Sequence, residues 1–390
     1  MSPSQLGLFS AVCATPSFLK PIYSFMISRS QRPAAIILCS CIQASAFITI
    51  GTAVSHGSTS LPIVLGCLLA HSFASSVGMF LRDSMTIELV ADTNRNSQHE
   101  AHAIYAELSM IARVGLVPVS YLSGYLLGFV TPAQIITSAA IFPALIGLSA
   151  VFLDTASAPS AEAIENDEWT SAVSAIKNQE TGLMSTVTGR SLILSVIPSY
   201  ADAMFFYYTD YLGFDSEFMG RFQFLGAIAG IVASGISKST VQIIDPRTVA
   251  NMAQWVSIPL FSSIILATKY PTLPYIGTFV LVRHFFIDFI TSLISLPAAM
   301  ELMQSAPAGA EGTYLALVGT LGNVGGAMNS LVSSMAMNML GISGTNFDSL
   351  TTLVGLTNGL SAISTPLVLF KNKEEITKVE DESEPELRGA

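Results

Sequence analysis

Residues 78–90 carry Arg82, Asp83 and Glu88, and no turn residue separates these charges from an apolar run that begins near Leu61. Within or at the edge of a membrane span, ionisable groups are expensive and mark gates, ligand contacts or ion paths. Asp83 and Glu88 are five residues apart, so they do not share one helical face. Arg82 can pair with a neighbouring carboxylate or reach a headgroup. The cluster reads either as an interfacial group snorkelling to water or as part of a gate or solute contact. The next apolar run holds Glu107 and Arg113, with Arg113 about a turn and a half deeper. A lone Arg in a span faces a partner or a wet cavity. An Arg113 pair with Asp83 or Glu88 is expected, as a structural bridge or as part of a site.

Two later stretches could also do chemistry. Asp202 lies mid-run and is followed by Phe205, Phe206, Tyr207 and Tyr208. A carboxylate can accept paired hydrogen bonds from a planar donor edge, and aromatic rings can stack on a flat heterocycle. The same rings could equally be helix packing and an interfacial belt. Further on, His284 and Asp288 are four apart and share a helical face, with Arg283 beside them. Such a pair suits a proton relay or a satisfied structural contact. Gly319, Gly322, Gly325 and Gly326 permit close helix packing. Glu311, ahead of them at a helix start, suits the helix dipole.

The elements that must position these residues are membrane helices. The chain is 51% hydrophobic and only 11% charged, with mean hydropathy +0.58. Soluble domains carry about 25% charged residues. The net charge of −10 comes largely from a central loop and the C-terminal tail, and it argues against nucleic-acid binding. Cys13, Cys39, Cys41 and Cys67 all lie in apolar runs and read as small buried residues, not disulfides or metal ligands. No secretory or transit signal is visible, since the first basic residue is Lys20. No phosphate-binding loop, zinc helix motif or nucleophile elbow appears, so neither an enzyme nor a bound cofactor is expected.

Runs long enough to span a bilayer fall at 5–27, 34–54, 61–90, 104–128, 132–153, 190–212, 218–237, 248–268, 274–300, 312–340 and 349–370, about eleven in all. Alternate connections hold Arg29 and Arg32, Arg95, Lys177 and Arg190, then Lys238 and Arg247, and Lys371, Lys373 and Lys378 follow in the tail. This asymmetry places the basic connections and the C-terminus in the cytoplasm. The organisation predicted is an N-terminal helical bundle over 1–153, a cytoplasmic connector over 154–189, a six-helix C-terminal bundle over 190–370 and a disordered acidic tail over 371–390.

At these residues the chain resembles the folate–biopterin transporter family of the major facilitator superfamily. The likeness rests on Lys20-Pro21, on Asp83 and Glu88, and on Asp202-Ala-Met-Phe205 followed by Thr209, Phe214, Gly220 and Arg221. It continues in Pro297, Pro307, Gly309, Glu311, Thr313 and Asn323. Ser24 and Ser28 stand where the family has a Gly and an Asp after the Lys-Pro. On this alignment the sequence begins at the family's second span.

The resemblance implies an all-α, two-bundle membrane carrier working by alternating access on folate, pterin or a related small solute. Many such carriers are coupled to protons. Within such a carrier, the charged residues inside the spans make Asp83, Arg113, Asp202 and Asp288 the candidates for solute binding or proton coupling. Arg82, Glu88 and Lys20 become gate candidates, and Phe205, Phe206 and Tyr208 candidates for stacking on the solute. The bilayer, the solute and protons would be the partners, in a membrane that the sequence does not identify. A non-transporting paralogue acting as a receptor or partner subunit is the other reading, and uptake by the expressed chain separates the two.

Overall fold

The chain folds as a bundle of helices. A computed structural model describes residues 3–27, 31–57, 61–94, 98–153, 169–174, 196–240, 243–307 and 310–368. Among the described residues, eight helices or helix pairs are long and apolar enough to cross a membrane. Their outward faces carry exposed apolar side chains such as Phe152, Leu148 and Ile363. A soluble protein would not leave such surface to water, whereas lipid covers it.

The first predicted span is a broken helix. α1 (Pro3–Ala14) runs into a 3-10 turn (Thr15–Leu19), and α2 (Lys20–Met26) resumes beyond it. Pro16 and Pro21 explain the break, because each lacks an N–H and crowds the preceding turn. Two carbonyls of the turn find donors: the Tyr23 hydroxyl donates to Pro16 O at 2.9 Å, and Asn323 Nδ2 donates to Ser17 O at 3.3 Å. Irregular backbone at membrane depth persists only where protein or a cavity satisfies it in this way.

α3 (Arg32–Ser55) and α4 (Leu61–Asn94) follow. At 34 residues α4 is about 50 Å long, well beyond the ~30 Å hydrocarbon layer. A helix of that length must tilt or extend beyond the layer at one end. α5 (Gln98–Leu126) is continuous, while the next span divides at Ala140 into α6 (Pro132–Ala139) and α7 (Ile141–Ala150). Thr131 caps α6 through a reciprocal box with Gln134. Of the connector only 169–174 is described. It is helical, and Ala172 is buried among Tyr314 and Val318. Arg29, Arg95, Lys177, Arg190 and the tail from 369 onward lie outside the described residues.

The second half repeats the pattern of interrupted helices. Residues 190–195 lie outside the described set. α8 (Ala201–Phe206) then passes into a π-helical turn (Tyr207–Tyr211), closed by Leu212 N–H on Tyr207 O at 2.9 Å. α9 (Ser216–Thr240) precedes a span broken at Ser263 into α10 (Pro246–Ser262) and α11 (Ile264–Lys269). α12 (Ile276–Gln304), α13 (Glu311–Met339) and α14 (Leu350–Val368) complete the bundle.

Arg283 fills the break at Ser263. It is 8% exposed and donates to Phe261 O at 3.0 Å, Ser263 Oγ at 3.2 Å and Tyr200 Oη at 3.4 Å. Each hydrogen bond to a charged group contributes about 1.5–3 kcal/mol. Arg283→Ala also removes the charged donor to the Phe261 carbonyl. The expected outcome is a loss of several degrees in the melting temperature of the detergent-solubilised protein.

The two halves meet along two seams. α5 packs along α9, and α1 with α2 packs along α13. The basic ends of the helices carry Arg32, Arg82, Lys238 and Arg247. At the opposite end of the first seam the helices touch backbone to backbone. A Cβ added to Gly124 would lie 2.4 Å from Ser216 O and 2.6 Å from Gly220 Cα. At the basic end the same seam is bridged by polar groups: Lys238 Nζ to Glu107 Oε2 at 2.7 Å, and the buried His102 Nε2 to Ser237 Oγ at 2.9 Å. The four cysteines are unpaired, and Cys41 is exposed where burial was expected. It lies on an apolar helix face that lipid would cover.

Candidate functional site

A cavity of about 600 Å³ lies between the halves, within the size range of small-molecule sites. It is lined by residues of α2, α4, α5, α9, α12 and α13, so both halves build it. The first half supplies every charged residue among those that line it: Lys20, Arg82, Asp83 and Arg113. The second half supplies apolar surface, including Leu296 and Leu302, together with the hydroxyls of Ser234, Ser292 and Ser295. Pro297 sits inside α12 at this wall, where a proline removes one backbone hydrogen bond and bends the helix.

Lys20 reaches the cavity because the helix breaks just before it. It is 7% exposed, and its ammonium would lie 3.7 Å from a Cβ placed on Gly319 of α13. Asp83 and Arg82 act on it electrostatically. No hydrogen bond or ion pair of Lys20 is found among the described residues. Arg82 is instead committed to its neighbour, donating from Nη2 and Nε to Asp83 Oδ1 at 2.8 and 3.1 Å. Both members of this pair are partly exposed, so the bond itself stabilises little. Glu88 lies in α4, but its side chain is outside the described residues.

Arg113 does not pair with Asp83. It crosses the seam and lies over Gly230 of α9, where an added Cβ would come within 2.1 Å of Nη1 and 2.4 Å of Cδ. Four residues earlier, a Cβ on Gly226 would come within 2.1 Å of Asp288 Oδ2 and 2.9 Å of His284 Nε2. The two glycines are one turn apart on the same face. They make a groove in α9 that seats a guanidinium, a carboxylate and an imidazole. His284 Nε2 lies 3.4 Å from Asp288 Oδ2, and its ring is stacked on Phe222 at 3.5 Å between centroids. Arg113 acts electrostatically on Asp288. The sequence reading missed Gly226 and Gly230, although their four-residue spacing is the usual sign of close helix approach.

Asp202 stands apart from the cavity. Its Oδ2 would be 3.3 Å from a Cβ on Gly7 of α1, beside Ser330 O and the Ser334 side chain of α13. The aromatic residues that follow it are not among the cavity's lining residues either. Tyr208 is 5% exposed and packs with Phe214 and Phe222. Phe205 is exposed and meets Phe206 edge to face. This carboxylate therefore belongs to the α1–α13 seam, and Tyr208 to the core of the second half.

The model of the BT1 family matches residues 1–390. The Folate-biopterin transporter of Synechocystis sp. is 24% identical over 381 residues, covering 94% of this chain and 74% of the relative. Folate transporter 2 of Plasmodium falciparum is 26% identical over 401 residues, covering 98% of this chain and 83% of that one. Among solved structures, the nucleoside transporter NupG superposes with a TM-score of 0.64 at 14% identity, covering 94% of this chain and 89% of NupG. At that identity the likeness is one of fold.

Proposed function

The chain belongs to the BT1 family, and on that premise we propose that it is a secondary membrane transporter of a folate- or pterin-class solute. The observation that carries the reading is the cavity between the halves, with charged groups on one wall and apolar surface on the other. Transport proceeds by alternating access: the Gly124–Gly220 contact and the polar bridges at the basic end close the two mouths in turn. The basic end faces the cytoplasm, a reading that the Lys and Arg asymmetry supports. The N-terminal and C-terminal bundles, 1–153 and 190–370, are the two moving bodies. Asp83, Asp202 and Asp288 are the carboxylates available for proton coupling, and Arg82 with Glu88 belongs to the cytoplasmic gate. The chemistry is transport and not catalysis.

The test is uptake of labelled folate and labelled biopterin into proteoliposomes containing the purified chain, with and without an imposed proton gradient. Saturable uptake of either, at least about tenfold over empty vesicles, supports the reading. Absence of uptake for both, from protein that is folded and reconstituted, overturns it. Asp202→Asn and Asp83→Asn are expected to remove the gradient dependence. Uptake that keeps its full response to the gradient in both variants removes these residues from the coupling path.

A further inference from the structure

We propose that the cavity selects an aromatic carboxylate, held through its anionic end by Lys20 and Arg113, over an uncharged pterin. The inference rests on the transport reading above and names the solute chemistry of that same cavity. Four charged residues line it. Two of them, Arg82 and Asp83, neutralise one another at 2.8 Å. The other two are cations. Neither Lys20 nor Arg113 makes a hydrogen bond or ion pair among the described residues. Asp83 and Asp288 lie within electrostatic range of Lys20 and Arg113 respectively. Each offers an opposite charge without accepting a hydrogen bond from the cation.

A buried, unsatisfied cation is costly. Lys20 is 7% exposed and lines the cavity, so its acceptor must come from what fills that cavity. A solute carboxylate would supply it. The two cations come from different helices of the first half, α2 and α5. The guanidinium can bind a carboxylate through two N–H groups, whereas the ammonium acts as a point charge. The rest of the lining fits an aromatic body. Phe80 and Tyr105 present ring surface, and Leu296, Leu302 and Met303 make the facing apolar wall. Uncharged pterins would occupy the apolar part and leave both cations unsatisfied.

The test measures equilibrium binding of folate, p-aminobenzoylglutamate and biopterin to the purified full-length chain in detergent. Folate has both a pterin and a carboxylate tail. The second probe has only the tail, and biopterin has only the ring system. The wild-type chain is expected to bind folate and p-aminobenzoylglutamate at least about tenfold more tightly than biopterin, the scale set by one charge-assisted hydrogen bond. Lys20→Gln and Arg113→Gln are each expected to lose about tenfold or more for the two carboxylates and to leave biopterin unchanged. Lys20→Arg should recover most of the loss.

Equal weakening of all three probes by the Gln variants would make the two residues structural and overturn the proposal. Wild-type protein that binds biopterin but not p-aminobenzoylglutamate overturns the anion site while leaving the pterin reading in place. Binding of p-aminobenzoylglutamate without recognition of either pterin removes that reading and keeps the anion site. If no probe binds, both fail. The wild-type comparison stands even if a Gln variant does not fold.

Discussion

Gly124→Ala is expected to reduce uptake by about tenfold or more, with the protein still folded and inserted. The added Cβ would lie 2.4 Å from Ser216 O and 2.6 Å from Gly220 Cα. These are backbone atoms, so no side chain can rotate away and α5 and α9 must part. Overpacking of this kind costs about 1–3 kcal/mol, and each 1.4 kcal/mol is about tenfold in a conformational equilibrium. On the proposed cycle the energy falls on every state in which the mouth away from the basic end is shut, the present one included, and not on the state in which that mouth is open. Gly220→Ala should behave alike, since its Cβ would meet Gly124 Cα at 2.9 Å. Gly115 lies on the same helix with nothing within 4 Å of its Cβ position. Gly115→Ala should therefore transport normally. Unimpaired uptake by Gly124→Ala would show that this contact takes no part in the cycle. Thiol-reagent access to single cysteines in the cavity gives a second readout, because the variant should stay reachable from the side opposite the basic end.

The spans were legible in the sequence because a run of ~20 apolar residues has few alternatives once charges are this sparse. The break in the first span was written in Pro16 and Pro21, and the break at Ser263 was foreshadowed by Pro259 inside α10. What the sequence could not show was which helix each charged face meets. Arg113 was expected beside Asp83 or Glu88 on the preceding span, yet Asp83 is satisfied by Arg82 next to it, the Glu88 side chain lies outside the described residues, and Arg113 turns to α9 and Asp288. That choice depends on the α5–α9 seam, a contact between halves more than a hundred residues apart. The same limit applies to Asp202. Its mid-span position was plain, but its neighbours Gly7 and Ser330 come from the two ends of the chain. Lys20 was expected at a gate. The turn that precedes it instead brings its ammonium to the cavity wall beside Gly319.

Gly230→Ala is the second substitution with a large expected effect, and it acts through Arg113. Arg113 lies on the bare backbone of α9, with Cδ and Cζ each 2.4 Å and Nη1 2.1 Å from where the new methyl would be. A clash with the tip alone could be relieved by a small rotation. Overlap with Cδ means that the whole side chain must leave its seat. The guanidinium then loses both its position at the cavity and its nearness to Asp288. The expected result is a loss of folate uptake of about tenfold, comparable to Arg113→Gln, since both remove one charge-assisted contact of about 1.5–3 kcal/mol. A methyl group could also harm the seam directly, and a mutant cycle separates the two causes. If the effect runs through Arg113, Gly230→Ala should add almost nothing in an Arg113→Gln background, where the shorter side chain leaves room for it. Full additivity would assign the damage to helix packing and not to the displaced guanidinium. Gly235, five residues further along α9 with open space around its Cβ position, supplies the control: Gly235→Ala should leave uptake at the wild-type level.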